Sequence, residues 1–122
     1  MADNEKLVFM VTHGVDHPEH ATIPFVMAGA ALASDVAVVI GFQADAVELA
    51  KRGVAETIEA PGFPPLGKLF AEVRELGASL LVCYPCIKSR GIDPADLVEG
   101  AEVVAAGRFI AEITSATNAL TY

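Results

Sequence analysis

Residues 79–92 read SLLVCYPCIKSRGI, and how this stretch folds decides how the rest of the chain is read. Ser79–Cys83 (SLLVC) is short and apolar on both faces, which suits a strand inside a mostly parallel sheet. Pro85 then favours the first position of a helix, where its missing N–H costs nothing, and Gly91 is a natural stop soon after. The stretch predicts a strand that turns into a short helix, with Cys83 at the corner and Cys86 in the first turn. These are the only two cysteines in the chain.

The same alternation repeats on either side. Lys6–Thr12 (KLVFMVT), Asp35–Phe42 (DVAVVIGF, stopped around Gly41), Glu102–Ala105 (EVVA) and Ala119–Tyr122 (ALTY) read as four further strands. Pro18–Ala33 reads as a helix apolar nearly all round, with Thr22 as its cap and Pro24 tolerable only in the first turn. Asp45–Arg52 reads as a shorter helix closed by Gly53. Leu66, Leu69, Phe70, Val73 and Leu76 fall at helical spacing opposite Lys68, Glu72, Arg74 and Glu75, and Arg108–Ala116 completes the series. This rhythm predicts one α/β domain over residues 1–122, with helices on both faces of the sheet. Ligands of such sheets bind outside the carboxyl ends of the strands. His13, Phe42, Gln43 and Cys83 all fall there.

The totals narrow the function. With 122 residues there is room for one core and not two. Hydrophobic residues make up 53% and the mean hydropathy is +0.48, so some apolar surface is expected between subunits. Phe25, Val26, Met27, Ala30 and Ala31 give the first helix more apolar surface than one sheet face can cover, which predicts a homo-oligomer. Sixteen acids against eight bases leave a net charge of −8 with no basic run, so nucleic acid is not an expected partner. The first residues, MADNEKLVFM, lack the layout of a signal peptide, and the longest uncharged stretch, Ala21–Ser34, contains Pro24 and is too short for a bilayer. The expectation is a cytoplasmic protein with no membrane partner.

In a reducing compartment a close cysteine pair is more often reactive or metal-binding than a structural disulfide, although buried cysteines also serve as plain core residues. At a strand-to-helix corner, free N–H groups and the helix dipole would stabilise an anion, as would Lys88 and Arg90 if they fold back. A thiolate there would have a lowered pKa and act as a nucleophile. The Cys-x-Pro-Cys string also suggests thioredoxin, but that motif follows an early strand and usually a tryptophan, and this chain has no Trp. A structural zinc site needs four ligands. The pair offers two, so His13, His17 and His20 would have to lie across it. No glycine-rich phosphate loop is present, only the lone turn Thr12-His13-Gly14. The sequence calls for no cofactor and no resident metal.

The order of elements resembles the DsrE/DsrF family of small sulfur-relay proteins from Lys6 onward. The residues that carry the resemblance are VAVVIGF, the helix AVELAKRG with the loop EAPGFPPLGKL, SLLVC with its cysteine, RGI, DLVEGAEVVAAGRFIAEI and ALTY. The resemblance implies a three-layer α/β/α sandwich with a five-stranded, mostly parallel sheet whose last strand is antiparallel. It also implies assembly into trimers or hexamers, and a cysteine that accepts sulfur as a persulfide and hands it on. In sulfur-transferring relatives that cysteine stands seven residues before the arginine of the RGI stretch, which gives Cys83 here. Cys86 is an additional thiol that can resolve a persulfide into a disulfide.

Three functions therefore compete: a sulfur carrier or sulfurtransferase working with donor and acceptor proteins, a dithiol redox or sensing protein, and a non-enzymatic oligomeric ligand-binding module. The expected reactive set is Cys83, Cys86 and Arg90, with Cys83 the acceptor. His13, Gly14, Gln43, Phe63, Tyr84 and Lys88 are expected on the substrate side. Phe63, in the proline-rich loop Glu59–Leu66, is expected to cover the cysteine corner.

Overall fold

Strands that alternate two apolar faces need cover on both sides, and the chain supplies it unequally. A computed structural model describes residues 5–122. The strands are β1 (Lys6–Val11), β2 (Ala37–Phe42), β3 (Ser79–Cys83), β4 (Ala101–Val104) and β5 (Asn118–Thr121), in the spatial order β4-β3-β2-β1-β5. Phe9, Val11, Val38, Ile40, Leu80 and Val82 face one side. There they meet the helices α1 (Pro18–Ala33) and α2 (Leu66–Glu75). Val8, Met10, Val39, Leu81 and Val104 face the other side, where Phe109 of helix α4 (Ala106–Thr114) covers them.

All four strand pairings are parallel. The antiparallel last strand implied by the family resemblance is corrected: β5 pairs parallel with β1, Leu7 opposite Asn118 through Met10 opposite Thr121. The connection explains it. β4 lies at one edge of the sheet and β5 at the other, and α4 carries the chain back across the second face, so β5 starts from the same end as its neighbour. Gly41 lets Met10 and Phe109 pack closely under that crossing, because a Cβ there would stand 2.7 Å from Met10 Sδ and 2.8 Å from Phe109 Cε1. It lies within β2 rather than ending it, and β2 runs on to the fully buried Phe42.

On the more heavily covered face, Phe25 of α1, Phe42 of β2 and Phe70 of α2 pack ring to ring at 5.3–6.1 Å. Burying one such side chain stabilises the fold by roughly 1.5–3 kcal/mol. Phe25 is thus spent inside the subunit, and of the five residues read as a subunit interface only Met27 and Ala30 are exposed. Thr22 is not the cap of α1. The helix begins at Pro18 with His17 before it, and the Thr22 hydroxyl donates to the Pro18 carbonyl at 2.7 Å, one turn back. Pro24 consequently lies inside the helix rather than in its first turn.

The segment expected as a helix over Asp45–Arg52 is a 3-10 helix, Ala44–Ala50. Ala46, Val47, Leu49 and Ala50 are all buried, so the tight winding presses a largely apolar segment against the core. The last helix begins two residues earlier than the periodicity indicated. Among the described residues no helix is long and apolar enough to cross a membrane.

Candidate functional site

Parallel strands end together, so the loops after β1, β2 and β3 share one edge of the sheet. At that edge Cys83 closes β3 and stands immediately before helix α3 (Tyr84–Ser89), with Pro85 at its second position and Cys86 at its third. Ile87, 1% exposed, anchors α3 in the core. That anchor leaves Cys83 and Cys86 half-buried at the rim. Their sulfurs are 2.8 Å apart, and both are free thiols.

The loop after β2 reaches over this pair. Gln43 still donates its N–H to the Val11 carbonyl, extending the sheet by one bond, and its own carbonyl accepts from Ala46 N–H at 3.0 Å. Between those bonds Ala44 must turn sharply, and it takes φ +51, a left-handed conformation that costs a non-glycine residue about 1–2 kcal/mol. The turn points the Ala44 N–H at Cys86 Sγ, 3.3 Å away. Asp45 follows, and its Oδ1 accepts from Arg90 Nη2 at 2.8 Å while Arg90 Nη1 donates to the Cys86 carbonyl at 3.2 Å. Arg90 therefore straps the end of α3 to the loop that carries Ala44. Asp45 is largely exposed, so the strap contributes less than about 1 kcal/mol to stability, and what it supplies is position.

The expected lowering of the Cys83 pKa is corrected. Burial pushes the Cys83 thiol up, and the hydrogen bond with the Cys86 side chain pushes it further. The backbone N–H of Cys86 and the charge of Arg90 pull the other way and do not prevail. α3 is only six residues long, and the single helix N–H that faces the Cys83 sulfur, that of Cys86, does not offset the burial. The two cations expected to fold back make their contacts elsewhere. Arg90 is held by Asp45, and Lys88 Nζ lies 5.9 Å from the centre of the Tyr84 ring, on the exposed side of α3.

Gly14 belongs to the same edge for a steric reason. A Cβ there would stand 2.6 Å from the Asp45 carbonyl oxygen and 2.7 Å from Glu48 Oε1, so the turn after β1 packs directly on the segment that carries the strap. Val15, Glu48, Lys51, Val54, Arg90 and Ile92 line a cavity of about 220 Å³ beside it. Gln43 is half-buried. Phe63 is half-buried too, but the hydrogen bonds of its loop, Phe63 N–H to the Ala60 carbonyl and Leu66 N–H to the Ile58 carbonyl, are local and tie nothing to the cysteines.

His13, His17 and His20 gather with each other rather than with the cysteines, their ring centres 4.9–6.4 Å apart. Among the described residues no group of three His, Cys, Asp or Glu side chains is arranged to hold a metal ion. What the sequence reading missed is Ala44 and Asp45. A glycine or asparagine at position 44 would have signalled a left-handed turn, whereas alanine carries no such signature.

The sequence model of the DsrE/DsrF-like family matches residues 5–122. The chain is 31% identical over 106 residues to the uncharacterized protein MJ0760 of Methanocaldococcus jannaschii, a match covering 87% of this chain and 38% of that one. It is also 38% identical over 55 residues to MJ0989 of the same organism, covering 45% and 48%. These matches span less than half the length of either relative. Among solved structures, the ychN protein of E. coli superposes with a TM-score of 0.80 at 21% identity, covering 97% of this chain and 99% of that one. MTH1491 of Methanobacterium thermoautotrophicum, a protein of unknown function, gives 0.76 at 15% identity, covering 98% and 100%. These two likenesses bear on the fold. With the family match running from Glu5 to Tyr122, the chain belongs to the DsrE/DsrF-like family.

Proposed function

We propose that this protein is a cysteine-based sulfur carrier that takes up sulfane sulfur as a persulfide on the Cys83–Cys86 pair, with Cys86 making the first attack. The observation that carries this reading is the Ala44 N–H aimed at Cys86 Sγ from a strained left-handed residue. A fixed backbone donor stabilises negative charge on the sulfur it faces, and the thiolate is the nucleophile. Cys83, whose thiol is pushed up, keeps its proton at neutral pH. This exchanges the two roles that family spacing implied. The Cys86 thiolate attacks the outer sulfur of a donor persulfide, the donor's S–S bond breaks, and the donor leaves as a thiolate. An acceptor thiolate takes the sulfur by the same exchange. Arg90 and Asp45 position the pair, and Tyr84 and Lys88 offer an exposed surface beside it to a protein donor or acceptor.

Persulfide trapping followed by peptide mapping tests this on the Cys83→Ser and Cys86→Ser variants. Sulfur is expected on Cys86 in the Cys83→Ser variant and in lower yield, or not at all, on Cys86→Ser. The reverse pattern returns the acceptor role to Cys83, and no uptake by either variant ends the carrier reading. The sulfur separation of 2.8 Å also favours a second reading, a dithiol sensor that closes on oxidation. In that case an oxidant removes two hydrogens from the intact mass while a persulfide donor adds nothing.

Assembly into a homo-oligomer is part of the proposal, resting now on Met27, 45% exposed, and on the exposed Ile110 of α4. Light scattering is expected to show more than one chain per particle at micromolar concentration, and a monomer would remove this element.

A further inference from the structure

Nothing about carrying sulfur requires a second thiol beside the first, yet Cys83 Sγ stands 2.8 Å from the sulfur on which the cargo would ride. From this juxtaposition we infer that a loaded Cys86 persulfide is discharged within the pair, releasing hydrogen sulfide and leaving a Cys83–Cys86 disulfide. The inference rests on the carrier reading and goes beyond it, to a persulfide-reducing activity. The atoms balance as follows. The ionised outer sulfur of the persulfide takes the proton of Cys83, and the Cys83 thiolate so formed attacks Cys86 Sγ, the inner sulfur, so that a bond forms between them. The bond from Cys86 Sγ to the outer sulfur breaks, and the outer sulfur leaves as HS⁻ carrying the proton that Cys83 gave up. The two cysteine thiols are oxidised by two electrons, and the sulfane sulfur is reduced to sulfide. A second cycle needs a dithiol reductant to reopen the disulfide.

Three features of the site converge on this step. The attacking and attacked sulfurs are already neighbours, and well-oriented intramolecular reactions reach effective molarities of about 10⁵–10⁸ M, far beyond any acceptor protein diffusing at micromolar concentration. Cys83 closes β3 and Cys86 sits on an α3 anchored by the buried Ile87, so the approach is held by the fold rather than found by a flexible loop. The strap from Arg90 to Asp45 and to the Cys86 carbonyl keeps α3 from turning its first residues away. Sulfur loaded here therefore reaches an acceptor only if that acceptor is already docked.

The test uses the full chain, reduced and freed of reductant, with glutathione persulfide as the probe, because transfer of its outer sulfur releases glutathione and not sulfide. Wild type is expected to release one sulfide per chain and to lose the mass of two hydrogens. The Cys83→Ser variant is expected to gain the mass of one sulfur, hold it, and release sulfide only when an external thiol is added. Wild type that retains the added sulfur without releasing sulfide overturns the inference and leaves the carrier reading standing. Sulfide release from Cys83→Ser equal to that of wild type, or a glutathione adduct on that variant in place of a sulfur, also overturns it. If neither wild type nor either single variant reacts, both readings fall together. Circular dichroism of the variants separates loss of a thiol from loss of the fold.

Discussion

Two corners at the same edge of the sheet carry the cysteines and the histidines, and they are built differently. After β3, two sulfurs are held between an anchored helix and a backbone N–H, with an ion pair strapping the two sides together. After β1, three imidazoles cluster near the start of α1, and among the described residues the hydrogen bond made by their rings is a long one, 3.4 Å, between His13 Nδ1 and Thr12 Oγ1. His17 and His20 are exposed. What separates the corners is how much backbone the fold commits to each, including a residue kept in a costly conformation at one of them.

The comparison breaks most easily at Gly14, which belongs to the histidine corner in sequence but rests on the cysteine corner in space. Gly14→Ala would drive a Cβ against the Asp45 carbonyl, a backbone atom that cannot swing aside. Overpacking of this kind typically costs about 1–3 kcal/mol. Urea unfolding is expected to show that loss, together with slower alkylation of Cys86 as Ala44 is displaced. A midpoint equal to wild type would mean that the two corners are not in contact.

Ala44→Gly probes the stored strain. Glycine removes the left-handed penalty and gives back some backbone entropy, for a net stabilisation of about 1 kcal/mol. Stability is expected to rise while Cys86 reactivity falls, because the N–H is held less firmly. A loss of stability would contradict the account of strain.

The thiols add a dependence on pH whose sign is fixed. A group that holds its proton more tightly when folded stabilises fully below its unfolded pKa, about 8.5 for cysteine, and loses that contribution as pH rises through the higher folded value. Cys83 is such a group. Under reducing conditions, wild type is expected to lose stability relative to Cys83→Ser above pH of about 8.5. The opposite slope would mean that the thiol is lowered after all.

The smallest effect belongs to the histidines. His17→Ala and His20→Ala are expected to leave stability within about 0.5 kcal/mol and Cys86 alkylation unchanged, as exposed substitutions usually do. A change in thiol reactivity would join the corners functionally.

Much of the fold could be read from periodicity. Unbroken apolar runs such as SLLVC announced strands buried on both faces, and the amphipathic spacing from Leu66 to Val73 announced α2. The direction of β5 could not be read, since Asn118–Thr121 looks the same run either way and only the crossing of α4 over Gly41 decides it. Thr22 misled because a threonine near a proline resembles a cap, whereas here its hydroxyl turns back onto the helix. The cysteine pair and its place on the edge were legible. The electrostatics were not, because they depend on a backbone N–H from residue 44 and an ion pair between residues 45 and 90, partners that are distant in sequence.

The central claim is the proposed division of roles, Cys86 making the first attack under the Ala44 N–H while burial holds the Cys83 thiol up. Iodoacetamide labelling of the reduced wild type at neutral pH, quenched at short times and resolved to each cysteine by fragmentation of the peptide that holds both, tests it most directly. The account predicts that label appears first on Cys86 and reaches Cys83 appreciably only as the pH is raised. First labelling at Cys83, or equal labelling of both at the rate of an ordinary free thiol, would contradict it.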